Sequence, residues 1–521
     1  MASAQDRARI FDLLIVGGGV NGCGLARDAA GRGLSVYLCE KGDLGSATSS
    51  ASTKLIHGGL RYLEYYQFRL VRQALAERDR LLSIAPHIVT PRRFVVPHDA
   101  RLRAAWRIRA GLFLYDHLGG AARLPISIPV DLRSHRYGRP LKPDFPRGFV
   151  YSDCWVDDAR LVLLNAVDAA NRGARIATRT TCTGLRRQGD HWVARLRRHG
   201  MEWQVRARAL VNAAGPWVED VAAVMQDATG PAGSPPAEAP PQPRIRLVRG
   251  SHIVVPRLFQ GQQAYLFQGE DRRVVFAIPF QDAFTLIGTT DEPHPDPAQP
   301  PAASPAEIAY LCSAVNRYLK RSIAAADIVS SFSGIRPLFD DGQEDPSAVS
   351  RDYVLHLDAP GPEGVGGAAA PVLTIYGGKI TTYRQLAERV LDRLAPHLPA
   401  LSRPWTDKAP LPGGDLPGHD LEGFIGDLIL RHPGLDRTFL RRIARRHGSL
   451  TDAVLDNAKR PADLGRDFGG GLTECEIDWL HRNEWAETAE DILWRRTKTG
   501  LFMSEEGRDL FADWFEHQIA A

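Results

Sequence analysis

The chain has 521 residues, and its hydrophobic and charged fractions of 44% and 24% exclude wholesale disorder while leaving room for two or three domains with their own cores. Its formal net charge of +4 is small but unevenly spread, because residues 88–147 hold 12 Lys and Arg against 4 Asp and Glu. A basic block of this kind can face an anionic membrane, nucleic acid or plain water, so composition alone excludes none of the three.

The first predicted strand, Leu13 to Val16, runs straight into Gly17-Gly18-Gly19-Val20-Asn21-Gly22 and then a predicted helix, Leu25 to Arg32. Strand, glycine turn and helix in this order form the phosphate-binding arrangement of a dinucleotide fold. Gly17 allows the tight turn, Gly19 lets backbone N–H groups approach a pyrophosphate, and Gly22 lets helix and strand lie close. A second strand, Ser35 to Cys39, ends at Glu40, near the separation of about 20 residues expected for a carboxylate that takes hydrogen bonds from an adenosine ribose. That negative charge disfavours a 2′-phosphate. The polar segment Thr48 to Lys54 follows, then His57-Gly58-Gly59 and a helical stretch from Phe68 to Ser83.

Parallel-type strands return much later, at Ala209 to Ala213 before Gly215 and at Val372 to Tyr376 before Gly377-Gly378-Lys379 and a helix from Thr382. The dinucleotide domain is thus assembled from separated segments. Between them, Ser251 to Val255, Gln263 to Phe267, Arg273 to Ile278 and Phe284 to Gly288 alternate with period two, which predicts an inserted antiparallel sheet. Residues 226–243 read as a Pro- and Ala-rich loop. After about Arg403, helical spacing at Leu421 to Leu430, Asp436 to His447, Glu474 to Glu484 and Ala489 to Thr497 predicts an all-helical C-terminal domain. In residues 101–115, Leu102, Trp106, Leu112 and Phe113 share one side of a helix whose amphipathicity is imperfect. Six cysteines form no Cys-x-x-Cys pair, no secretory leader is expected, and no run reaches the roughly 18 apolar residues of a spanning helix. Reduced thiols, no metal site and no iron–sulfur or haem ligand set are the expectation.

Seven blocks carry a family resemblance. Thr48 to Glu64, Tyr151 to Leu161, Gly250 to Pro256, Ile287 to Asp291, Gly334 to Leu338, Tyr376 to Arg384 and Trp494 to Lys498 resemble, in order, the motifs of the aerobic, FAD-dependent glycerol-3-phosphate dehydrogenases of bacteria. The resemblance implies an α/β fold with a Rossmann-like FAD-binding domain over 8–90, 145–225 and 345–403. It further implies a substrate domain over 91–144 and 244–344 and a helical domain over 404–521. FAD would meet Gly17, Gly19, Asn21, Gly22, Glu40, Lys41, Thr48, Ser49, Ser52, Thr53, His57, Gly58, Gly59, Gly215, Gly378, Thr381 and Thr382. The hydroxyls of the Thr48 to Thr53 segment line the cofactor, cap the next helix, or do both. A strand ending in Gly377-Gly378 offers backbone N–H groups and a positive helix end to the reduced flavin.

By resemblance, Arg336 and Arg351 clamp a substrate phosphate, with Arg61 and Lys379 nearer the glycerol end; planar guanidinium forks suit a phosphate dianion. Hydride transfer from a secondary alcohol also needs a proton acceptor with a pKa near working pH, which favours histidine. His252 is the preferred acceptor, with His57, Lys379 or a water as alternatives. The family passes its electrons to membrane quinone from the inner face of the cytoplasmic membrane, so an anionic surface and no nucleic acid is the expected partner, with a homodimer left open. An oxidase using O₂, or a flavin-dependent scaffold or sensor, remain the rival readings.

Overall fold

The structure, a computed structural model, describes residues 9–99, 101–102, 104–119, 123–227, 245–271, 273–340, 352–359 and 369–520. Arg351 and most of the 226–243 loop lie outside these residues. Two units emerge: residues 1–50, 158–247 and 336–521 form one, and residues 51–157 and 248–335 the other.

The first unit is built on parallel strands, with Met201–Asn212 and Val36–Cys39 flanking Ile10–Val16, Arg175–Ala177 beside Val36–Cys39, and Val372–Tyr376 beside Met201–Asn212. Leu13, Leu14 and Ile15 have no exposed surface. Burial on both faces is what an uninterrupted apolar run dictates in a parallel sheet. The first helix, Val20–Gly31, begins earlier than its apolar spacing predicts, directly at the glycine turn. A Cβ on Gly24 would fall 2.4 Å from the ring of Tyr383, so only glycine lets the helix Tyr383–Leu394 pack there. On the same helix Arg27 is buried and pairs with Asp168 at 2.6 Å, while its guanidinium stacks 4.8 Å from the Trp405 ring centre.

An antiparallel meander that sequence patterning leaves unassigned, Thr181–Gln188 and His191–Arg198, joins Met201–Asn212. Its second hairpin turns at His199 and Gly200, both at positive φ, as a two-residue turn between twisted strands requires. Trp192, Ala194 and Leu196 meet Trp203, Val205 and Ala207 in one core.

The C-terminal helices Leu421–Arg431, Arg437–His447 and Glu474–Glu484 keep their predicted places, and Asp420 and Asp436 cap the first two by accepting from Gly423 and Phe439 N–H at 3.0 and 2.8 Å. The expected α-helix over 489–497 is instead a π-helical turn, Asp491–Arg496, closed by Thr497 N–H donating to Ile492 O at 3.0 Å.

In the second unit, strands Ile245–Pro256, Phe284–Gly288, Val274–Phe280 and Ala264–Gln268 pair antiparallel in that order. The sheet then continues through a parallel pairing of Ala264 and Tyr265 with Phe94 and Val95, and antiparallel to Arg147–Val156. It is therefore mixed rather than wholly antiparallel, because a strand from early in the chain completes it. Residues 51–90 and 145–157, which sequence reading assigns to the FAD-binding domain, group with this unit because Leu55–Ile56 and Val89–Pro97 both pair with Arg147–Val156. In the helix Ala105–Leu118, Leu112 and Tyr115 are buried whereas Trp106 and Phe113 are exposed, so the single apolar side expected from spacing is split between core and solvent.

Glu307 ties this unit together. It accepts from the hydroxyls of Ser251 and Thr290 at 2.7 Å each, from Arg249 at 2.8 Å and from the Ser304 N–H at 2.9 Å. Burial alone would raise its pKa, but these donors hold it at about 2. The stabilisation is present above the ordinary value of 4.5 and is lost as pH falls through about 2. Glu307→Gln is expected to cost about 1–3 kcal/mol in urea unfolding at pH 7, with the deficit shrinking as pH falls below 4.5; equal stabilities at pH 7 would refute the network's importance.

Candidate active site

Four chain segments of the first unit meet where parallel strands end, the edge at which α/β sheets bind ligands. Gly17, at φ +115°, turns against the Ala213 carbonyl, and a Cβ there would lie 2.4 Å from that oxygen. A Cβ on Gly22 would come within 1.9 Å of the Gly17 carbonyl. Neither position tolerates a side chain. Gly19 forms the helix N-cap and brings no side chain to it, so the first amides and the positive end of the helix stay directed at the turn. Ser49 Oγ accepts from Val20 N–H at 3.0 Å, which places the Thr48–Ser50 turn beside that helix start. The capping reading thus holds for Ser49, but toward the first helix rather than the next.

Glu40 is the acidic hook of the site. Gly18 N–H donates to one carboxylate oxygen and Gly42 N–H to the other, both at 2.7 Å. Burial raises the Glu40 pKa, and the two N–H bonds oppose the shift. Each oxygen keeps a further lone pair, so hydroxyl donors can still be accepted. Lys41 does not point at the turn; its ammonium lies 3.5 Å from the ring centre of Trp217, and burial lowers its pKa. Gly215, at φ +57°, borders open space.

Gly377 and Gly378 both take positive φ, after the strand Val372–Tyr376. Asn21 bridges the two glycine turns by donating to the Gly377 carbonyl at 3.1 Å. Its Oδ1 is buried with no hydrogen-bond partner among the described residues. Lys379 stands at the N-cap position of a short turn, with no cap bond from its side chain, and Thr381 and Thr382 in that turn are buried. Arg336 is half-buried within the strand Ser330–Phe339. Arg351 lies outside the described residues.

In the second unit, Ser52 Oγ accepts from Lys54 N–H at 2.9 Å and so caps its own turn. Thr53 Oγ1 lies 3.0 Å from His252 Nε2. His252 is only 1% exposed and stacks on Phe332, ring centres 4.9 Å apart. Gly288 closes its other side: a Cβ there would stand 2.0 Å from the imidazole. The contact between Thr53 and this enclosed histidine is one that a separation of 199 residues hides from sequence reading. His57-Gly58-Gly59 is anchored by Gly58 N–H donating to Tyr115 Oη at 2.7 Å, and that hydroxyl donates to buried Asp153 at 2.8 Å. Burial raises Asp153 to a pKa of about 6 against the lowering pull of Arg78. Tyr115 and Asp153 are supports that sequence reading missed. Arg61 sits in the 3-10 turn Leu60–Tyr65, and its side chain is outside the described residues.

Two glycine turns, an acidic hook and a helix start aimed at the turn define a dinucleotide-binding protein. Comparison with known proteins narrows the class: the chain belongs to the FAD-dependent oxidoreductase family, whose model matches residues 12–372, and a model described as the C-terminal domain of alpha-glycerophosphate oxidase matches residues 404–516. It is 53% identical to the glycerol-3-phosphate dehydrogenase of Pseudomonas aeruginosa over 95% of this chain and 93% of that protein. It is 49% identical to the D-erythritol 1-phosphate dehydrogenase of Brucella abortus, covering 97% of this chain and 98% of that protein. Among solved structures, the glycerol-3-phosphate dehydrogenase of Bacillus halodurans complexed with FAD matches at a TM-score of 0.75 and 25% identity, covering 99% of this chain and 92% of that one.

FAD is accordingly the cofactor, and the glycine cradles, which leave no side chain between the backbone and the turn, and the positive end of the first helix fit its pyrophosphate. Gly22→Ala is expected to yield folded protein with little bound flavin, because the added methyl must displace the Gly17 carbonyl. Flavin absorbance per mole of purified protein checks this; full occupancy would remove Gly22 from the site.

Proposed function

We propose that this protein oxidises sn-glycerol 3-phosphate to dihydroxyacetone phosphate and passes the electrons to membrane quinone. The observation that carries the reading is full-length likeness, at 53% identity, to a glycerol-3-phosphate dehydrogenase. FAD, when bound, supplies the hydride acceptor. Arg336 and Arg351 bind the substrate phosphate, Lys379 orients the glycerol end, and Glu40 takes hydrogen bonds from the adenosine ribose. Arg61 assists the glycerol end, and Thr53 hands the alcohol proton to His252. The 3.0 Å contact and the burial of the imidazole support this relay.

The relative from Brucella abortus gives a second reading specific support: a phosphorylated tetritol as substrate. Bleaching of the bound flavin under anaerobic conditions by glycerol 3-phosphate, but not by D-erythritol 1-phosphate, is the expected result. The reverse preference would overturn the substrate assignment. Arg336→Ala is expected to cost about 3–5 kcal/mol of substrate interaction, read as a fall in kcat/KM, since it leaves a desolvated phosphate charge uncompensated. An unchanged kcat/KM removes Arg336 from the phosphate site.

Support for a membrane surface comes from the second unit. Trp106, Phe113, Leu114, Ile126 and Ile128 are all exposed large apolar side chains, and Arg107 lies 5.5 Å from the ring centre of Trp106. Aromatic and aliphatic side chains interleaved with arginine suit an anionic headgroup layer. Among the described residues no helix is long and apolar enough to cross a membrane. Sedimentation with anionic vesicles is expected at low salt and to fall in a Trp106→Asp, Phe113→Asp variant; no sedimentation of the parent protein would defeat the proposal. Quinone reduction exceeding O₂ uptake on the same substrate separates the dehydrogenase from an oxidase.

A further inference from the structure

The loop that follows Glu40 is gripped from the far end of the chain. Asp43 is 2% exposed and accepts from Arg495 Nε at 2.5 Å and from Arg496 at 2.8 Å. Arg496 also donates to the Glu484 carbonyl at 2.6 Å, which fixes its guanidinium within the C-terminal domain. Two successive side chains reach one carboxylate because the segment Asp491–Arg496 is a π turn, in which neighbours diverge less around the axis than in an α-helix.

A second tie runs beside the first. Arg179, which has φ +51°, donates its backbone N–H to the Gly42 carbonyl at 2.8 Å and its side chain to Asp491 at 2.5 Å. The next residue, Thr180, donates its N–H to the Glu40 carbonyl at 2.7 Å. Asp491 also pairs with Arg495. Despite its burial, the Glu487 N–H and the guanidiniums around it hold Asp491 at a pKa of about 2. The Asp43 end of the Glu40–Asp43 turn is therefore fixed by the ionic cluster of the C-terminal domain, and the Glu40 end by backbone bonds from Arg179 and Thr180, of which Arg179 is itself tied to that cluster. The turn's other neighbour is the glycine loop itself, since Gly45 N–H donates to the Gly18 carbonyl at 3.0 Å.

We infer that the Asp491–Arg496 turn is a positioning clamp for the adenosine end of FAD: through Asp43 and Arg179 it sets the height and direction of the Glu40 carboxylate, so that docking of the C-terminal domain and retention of FAD are coupled. This rests on the reading that Glu40 holds the ribose. Arg495, Arg496, Asp491, Asp43 and Arg179 are positioning residues that touch no reacting atom. Their loss lowers the occupancy of the site and leaves turnover of the occupied enzyme intact.

The test compares four variants of the full-length holoenzyme by flavin fluorescence released on dilution, which gives the FAD dissociation rate and Kd, with thermal unfolding alongside. Asp43→Asn keeps the shape and removes the charge that both arginines share, and is expected to raise the FAD Kd at least tenfold. With FAD in excess its kcat and substrate KM return to parental values. Arg179→Gln, at a partly exposed side chain, is expected to raise the Kd at least threefold and decides the matter should Asp43→Asn fail to fold. Glu476→Gln breaks a different buried contact of the same domain, with Arg446 at 2.7 Å and His447 at 2.9 Å. It is expected to lower the melting temperature with the FAD Kd unchanged.

Glu40→Gln separates this inference from the reading beneath it. Weakened FAD binding in Glu40→Gln together with parental Kd in Asp43→Asn and Arg179→Gln overturns the clamp and leaves the ribose contact standing. Parental Kd in Glu40→Gln overturns the ribose contact and the clamp that acts through it. An equal rise in Glu476→Gln and Asp43→Asn also overturns the clamp, since it reduces the effect to general loosening of the domain.

Discussion

Between the first strand and the first helix there is no room for a single methyl group. A Cβ on Gly22 would stand 1.9 Å from the Gly17 carbonyl, and one on Gly17 would stand 2.4 Å from the Ala213 carbonyl. Direct backbone contact on both sides fixes where the helix begins, and the rest of the nucleotide end follows from that origin. Asn21, the second residue of the helix, reaches the Gly377 carbonyl only from this height. Ser49 meets the Val20 N–H for the same reason. The glycine turn also presents the Gly18 N–H to Glu40, so phosphate cradle and acidic hook are one hydrogen-bonded object rather than two adjacent features.

The second unit solves a different problem, that of burying polar groups in a sheet. Glu307 has four donors, and Ser251, one of them, immediately precedes His252. The strand carrying His252 is thereby held in register by a charged anchor at its neighbour, while the imidazole itself is held by Thr53, Phe332 and the missing side chain of Gly288. Enclosure of this kind costs free energy unless every polar atom is satisfied. Within the described residues the threonine hydroxyl stands at the ring nitrogen, 3.0 Å from it.

Sequence patterning makes legible whatever depends on neighbours along the chain. The glycine turn, the acidic strand end at Glu40, the strands Phe284–Gly288 and Val372–Tyr376 and the helix Glu474–Glu484 are all local signals, and each stands where periodicity and turn chemistry place it. The meander around His199-Gly200 escapes because its strands are rich in arginine, which masks the alternation of Trp192, Ala194 and Leu196. The division into units escapes because strand pairing is not local: Leu55–Ile56 finds its partner at Trp155 and Cys154. The resemblance to a family supplied Thr53 and His252 as separate candidates, but the contact between them is a property of the folded sheet alone.

The same reasoning explains why the ionic cluster around Asp43 uses charges where apolar side chains would pack as well. A buried ion pair is weak evidence of stability, since hydrophobic groups of similar volume often serve equally. Apolar contact, however, has no direction, and it would leave the Glu40–Asp43 turn free to tilt against the glycine loop. Two guanidiniums converging on one carboxylate impose both a distance and an angle. Arg179 adds a backbone donor on the other side of the turn, from a left-handed conformation that is itself uncommon for a residue with a side chain. What is being specified is the position of a carboxylate, and that requires hydrogen bonds with fixed geometry rather than buried area.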